Sequence, residues 1–275
     1  MQIAIIGLGG IGASIGLAYQ HAALGDRVVG YDVDADAVQS ALEWGAIDEP
    51  CDSIEACVNA DMIVVATPPR AVPELFQRLA PHLRPETLIT DVVSVKQPVL
   101  AWARQYLPYS NRFVGGHPIA GTERHGYQAA RADLFQGALW VLTPMPDTDA
   151  DAIAQVEHLI RAVRAIPMRM DAVQHDHEFA LLSFVPHCLA FSLAALHREN
   201  PTQMQGGGSW RSATRVAQSD SALWTDLLLL NREATVEWLD ALIERLQAVQ
   251  QALQHEDAKQ LRALLQSRPD GYNQC

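Results

Sequence analysis

Residues 7–12 read Gly-Leu-Gly-Gly-Ile-Gly, directly after an apolar run at 2–6 and directly before a helical pattern at 13–20. That spacing serves one turn geometry. Gly7 makes the tight strand-to-helix turn, Gly9 lets backbone approach a pyrophosphate, and Gly12 lets the helix pack on the strand. The helix N-terminus then faces the phosphates with its positive end. Asp32 stands 20 residues beyond Gly12, at the end of the next apolar run, where an acid binds both ribose hydroxyls of NAD and repels the 2′-phosphate of NADP. The predicted cofactor is NAD, held by Gly7, Leu8, Gly9, Gly10, Ile11, Gly12 and Asp32, with Thr67 and Pro68 after a later strand.

The rest of residues 1–170 sustains that fold. Short apolar runs at 2–6, 27–31, 62–66, 87–92, 112–114, 139–143 and 168–170 alternate with helical patterns, as βαβ units of a parallel sheet do. After residue 170 the alternation stops and Ala, Leu, Gln and Glu dominate. The expected fold class is therefore α/β: a Rossmann-type dinucleotide-binding domain at 1–170, then an all-helical substrate-binding and dimerisation domain at 171–275. One long helix is expected at 173–197, kinked or broken at Pro186. Another, at 232–253, carries Val236, Leu239, Ile243, Leu246, Val249 and Leu253 as an apolar stripe. Such a stripe is ordinarily core, but a small helical domain also buries one against a second copy, which predicts a homodimer.

Composition narrows the partner. A formal net charge of −12, from 32 acidic against 20 basic residues, repels nucleic acid and anionic membranes and leaves a small molecule as the expected ligand. No run of about 18 uninterrupted apolar residues suggests a membrane span. The apolar start has no basic residue before Arg27 and is broken by glycines, unlike a signal peptide. Cys51, Cys57, Cys188 and Cys275 have no metal-ligand spacing, so reduced thiols in a cytoplasmic protein are expected, with no metal.

A second motif lies far from the first. In FVGGHPIAGTERHG, 113–126, strand counting places 115–121 as a loop at the carboxyl edge of the sheet, where open α/β sheets bind ligands. Pro118 biases His117 toward extended backbone and so fixes its direction.

Together with TDVVSVK (90–96), GGHPIAGTE (115–123), LF (134–135), WVLTP (140–144), HDHEFALLSFVPH (175–187) and TRVAQSD (214–220), this loop resembles the prephenate/arogenate (cyclohexadienyl) dehydrogenases of tyrosine biosynthesis. The motifs follow the family's order across both halves. The resemblance implies oxidative decarboxylation: hydride leaves ring C4 for the nicotinamide, CO₂ leaves C1, and the ring becomes aromatic. It implies His117 as the acceptor of the C4 hydroxyl proton, with Ser94 binding that hydroxyl and orienting the histidine. It implies Arg215 on a substrate carboxylate and His187 and Thr122 in the substrate pocket. His187 matches a residue of prephenate-using members, so 4-hydroxyphenylpyruvate from prephenate is the expected product, with arogenate or dual use as the alternative. Two positions depart from the pattern: Phe184 where many relatives carry histidine, and Ser212 where an acid is common.

Bland readings stand beside these. Ser94 fits a helix N-cap, His175-Asp176-His177-Glu178 a solvated helix start, and Lys96 a cofactor-adjacent or surface charge. A β-hydroxyacid dehydrogenase would need a lysine in the helical half, which holds only Lys259, near the tail. A non-catalytic NAD-binding sensor would not need His117, Ser94 and Arg215 together.

Overall fold

The structure, a computed structural model, describes residues 1–121, 126–202 and 206–266. Its strands are β1 (Gln2–Ile6), β2 (Arg27–Tyr31), β3 (Glu49–Pro50), β4 (Met62–Val65), β5 (Leu88–Asp91), β6 (Phe113–Pro118), β7 (Leu139–Thr143) and β8 (Ile166–Arg169), in the order β3-β2-β1-β4-β5-β6-β7-β8. The order reverses between β1 and β4, and such a switch point opens a crevice at the carboxyl ends of the strands. Alternation along β1 builds two core layers. Ile3 and Ile5 pack with Ile15 on one face, under α1 (Gly10–His21) and α5 (Ala150–Ala162). Ala4 and Ile6 pack on the other, with Phe76 and Leu79 of α3 (Val72–Leu79) and Val99 of α4 (Gln97–Tyr106).

Three expectations about the sheet need correction. It gains the two-residue β3, which is too short to show an alternating pattern. It is not parallel throughout, because β6 runs antiparallel to β7 while β7 and β8 are parallel. And β6 does not stop at Val114: pairing of Gly115, Gly116, His117 and Pro118 with Thr143, Leu142, Val141 and Trp140 carries it through Pro118. His117 therefore sits in a buried strand, not in a loop.

The helical half holds α6 (Ala172–Phe179), α7 (Val185–Glu199), α8 (Gly208–Thr214), α9 (Ser221–Leu230), α10 (Arg232–Gln254) and α11 (Ala258–Leu265). Between α6 and α7 the helical run is continuous and does not break. It widens into a π-helical turn, Ala180–Phe184, just ahead of Pro186, whose missing N–H cannot serve the ordinary ladder. The run Ala172–Glu199 has the length and apolarity of a membrane span. It is nonetheless tied to the α/β half, since Asp176 accepts the Lys96 and Gln97 N–H groups, and to its own half by Asn231, which donates to the Asp176 carbonyl. Phe184 and Leu227 complete the core layer of α3 and α4, joining the two halves. The α10 stripe does not enter the core: Val236, Ile243, Leu246 and Leu253 are all exposed.

Candidate functional site

At the end of β1 the three glycines behave as three different devices. Gly7 has φ +98°, a conformation that favours glycine, and a Cβ there would strike the Ala66 carbonyl. A Cβ on Gly12 would collide with the Gly7 carbonyl, so this glycine sets the helix against the strand. A Cβ on Gly9 meets nothing within 4 Å, because it projects into open space. Asp32 ties β2 to this turn: its Oδ2 accepts the Leu8 N–H at 2.6 Å and its Oδ1 accepts the Asp34 N–H at 2.9 Å.

The turn borders a cleft of about 680 Å³ lined by Gly7, Gly9, Gly10, Ile11, Asp32, Thr67, Pro68 and Ser94, with Leu223 and Leu227 of α9 on the far wall. Leu8 contributes backbone only, its side chain being fully buried in the core, and Gly12 lies behind the surface. The Thr67 hydroxyl is buried without a partner among the described residues. Open space over Gly9, the N-terminus of α1 and an acid beside the turn together fit a dinucleotide.

Next to β5, whose continuation supplies Val92, Val93 and Ser94 to the cleft, β6 carries His117. Its ring is buried against His175 and Phe179, with centroids 5.1 and 5.0 Å away. The His117 Nδ1 lies 2.9 Å from His175 Nε2, and the His175 Nδ1 lies 2.8 Å from Asp176 Oδ1. Burial, His175 and Lys96 hold the His117 pKa well below the ordinary 6.5, so the ring is neutral at physiological pH. Burial also lowers the His175 pKa.

Several of these neighbours differ from the expectation drawn from the sequence. His175 and Asp176 are not a solvated helix start but are buried, at 0% and 1% exposure. Lys96 is no surface charge: fully buried, its Nζ lies 2.5 Å from Asp91 Oδ2 and donates to the Gly116 carbonyl at 2.5 Å. Ser94 does not cap α4. The cap residue is Lys96, and Asp176 from the helical half receives the amides there. Nothing local announces the pairs that join the two halves, His117 with His175 and Asp176 with the Lys96 amide, whose members stand 58 and 80 residues apart. The one available signal was a lysine and an aspartate five residues apart in an otherwise apolar stretch.

In the helical half, His187 stacks on Trp224 with centroids 3.5 Å apart and planes at 20°. Trp224 also receives Phe184 edge-on, so that departure from the family pattern is absorbed by apolar packing. Arg215 is exposed and near enough to His187 to act with burial in lowering its pKa. The His187 Nδ1 meets the Ser183 carbonyl at 2.8 Å and must donate to it. In the neutral ring Nε2 is then an acceptor. Ser212 is exposed, and Thr122 lies outside the described residues. No group of three or more metal-ligating side chains occurs among the described residues.

Comparison with known proteins agrees with this geometry. Residues 15–167 match the family model for the prephenate dehydrogenase nucleotide-binding domain, and residues 171–267 match that for the prephenate dehydrogenase dimerization domain. A prephenate dehydrogenase of Bacillus subtilis (strain 168) is 36% identical over 266 residues, covering 94% of this chain and 72% of that one. A cyclohexadienyl dehydrogenase of Zymomonas mobilis is 34% identical over 267 residues, covering 94% and 91%. Among solved structures, prephenate dehydrogenase from A. aeolicus in complex with hydroxyphenyl propionate and NAD+ superposes with a TM-score of 0.90 at 28% identity, covering 96% of this chain and 94% of that one. The chain belongs to the prephenate dehydrogenase family of oxidoreductases.

Proposed function

We propose that this protein oxidatively decarboxylates prephenate to 4-hydroxyphenylpyruvate with NAD, residues 1–170 holding the cofactor and 171–275 completing the substrate pocket. The observation that carries the reading is a buried, neutral histidine, His117, one strand away from the dinucleotide cleft that Ser94 lines. Bound NAD supplies the acceptor for the hydride that leaves ring C4. His117 takes the C4 hydroxyl proton as the C4–H bond breaks, and Ser94 holds that oxygen. The C1–CO₂ bond then breaks, its electron pair aromatises the ring, and the proton returns to the C4 oxygen. Arg215 binds a substrate carboxylate, with a planar guanidinium suited to bidentate contact, and Thr122 completes the pocket.

A second reading, use of arogenate as well, is favoured by His187. Its Nε2 lone pair can accept from an ammonium, and one similar protein is named a cyclohexadienyl dehydrogenase. Kinetics on prephenate and arogenate, each with NAD and NADP, test both readings. NADH formation from prephenate is expected, and no turnover of either substrate overturns the proposal. Strong preference for NADP overturns the assignment of Asp32.

The exposed stripe of α10 supports a homodimer through the helical half, testable by sedimentation. The described cysteines Cys51, Cys57 and Cys188 are free thiols, which supports a cytoplasmic setting.

A further inference from the structure

A base needs its lone pair on the nitrogen that meets the proton, and in a neutral histidine the partner of the other nitrogen decides this. Here that partner is named. The Asp176 carboxylate already accepts two backbone N–H groups, from Lys96 to Oδ1 at 2.7 Å and from Gln97 to Oδ2 at 2.9 Å. Those bonds aim it, and it meets His175 Nδ1 as an acceptor, so His175 Nδ1 carries a proton. A neutral His175 then has its lone pair on Nε2, which faces His117 Nδ1 at 2.9 Å. That bond forms only if His117 donates from Nδ1, which leaves the His117 lone pair on Nε2.

We propose that His175 and Asp176 are positioning residues that fix the tautomer and ring orientation of His117 and support the imidazolium it becomes on taking a proton. The arrangement is an Asp–His–His chain with the division of labour of a hydrolase triad, in which a buried carboxylate orients the base without taking its proton. The surroundings hold it. Phe179 packs on both rings, with centroids 5.0 Å from His117 and 4.6 Å from His175, and keeps the chain dry. Lys96 grips the Gly116 carbonyl, and Asp91 Oδ1 accepts the Gly116 N–H at 3.0 Å, so the backbone leading into His117 is fixed from both sides. Because Asp176 and His175 come from α6, the base is oriented only when the helical half is docked on the sheet.

This inference rests on His117 as the base, so its test begins with a measurement that needs no turnover. Nitrogen-15 NMR of the histidine-labelled wild type, with His117 assigned by its loss in His117→Asn, is expected to show the proton on Nδ1. A proton on Nε2 overturns the proposal. In His175→Phe, which keeps the packing on Phe179 and removes the acceptor, the His117 proton is expected to redistribute. Turnover should fall by roughly 10²-fold, with KM for prephenate and Kd for NAD within about threefold of wild type. His175→Gln, whose amide oxygen can accept the same bond, should recover most of that loss. A Phe variant as active as wild type, or a Gln variant no better than Phe, overturns the proposal. Should the Phe variant fail to fold, the wild-type tautomer decides. Failure of the functional reading looks different: the wild type would be inert on both cyclohexadienyl substrates whatever its tautomer.

Discussion

The Lys96 ammonium is buried completely and lies 2.5 Å from both the Asp91 carboxylate and the carbonyl of Gly116, the residue before His117. A buried pair is costly to desolvate, and removing one partner strands the other. Burial lowers the Lys96 pKa while Asp91 opposes the shift. Lys96→Met is therefore expected to destabilise the fold by about 3–5 kcal/mol in urea denaturation, and a loss under about 1 kcal/mol would show that the pair is not holding this strand.

The glycine turn separates binding from folding. Gly9 has φ −67° and an open Cβ position, so Gly9→Ala should leave stability within about 0.5 kcal/mol of wild type. It should weaken NAD binding, measured by titration calorimetry, because the methyl projects into the open space of the cleft over the turn. Gly12→Ala, which collides with the Gly7 carbonyl, should instead cost roughly 1–3 kcal/mol of stability. Equal effects of the two substitutions on stability would contradict this division.

How much of this was readable beforehand follows from distance along the chain. The glycine turn and the acid beside it were legible because their determinants are local: the glycine spacing reflects one turn, and Asp32 follows the next strand. His117 was legible as a residue but not as part of a strand, since Gly115, Gly116 and Pro118 are poor strand formers and only pairing with β7 extends β6 through them. The burial of His175, Asp176 and Lys96 was not legible because charged and polar residues are seldom fully buried; partners of His175 and Asp176 come from the other half of the chain, while Lys96 is held within its own half by Asp91 and Gly116. Pro186 marks an interruption of the regular helix, which takes the form of a π-helical turn just ahead of it.

The pH dependence follows from the buried rings. His117, His175 and His187 all have pKa values lowered by burial, so each is neutral when folded above pH 6.5. In the unfolded chain they take protons near the ordinary value of about 6.5. Their contribution to stability is thus complete above that pH and lost as pH falls from there toward the lower folded values. Thermal denaturation should show a falling midpoint below about pH 6.5. The kcat/KM profile should be flat above neutrality on its acid side and decline only below that pH, as His117 protonates. An acid limb centred above pH 7 would contradict a base with a depressed pKa.

The most direct measurement is formation of NADH and release of CO₂ from prephenate by the purified protein beside its His117→Asn variant. Equimolar NADH and CO₂ from the wild type, and turnover lower by roughly 10²–10⁴ in the variant at unchanged NAD affinity, is the expected result. A variant that turns over like the wild type, or a wild type inert toward both prephenate and arogenate, would contradict it.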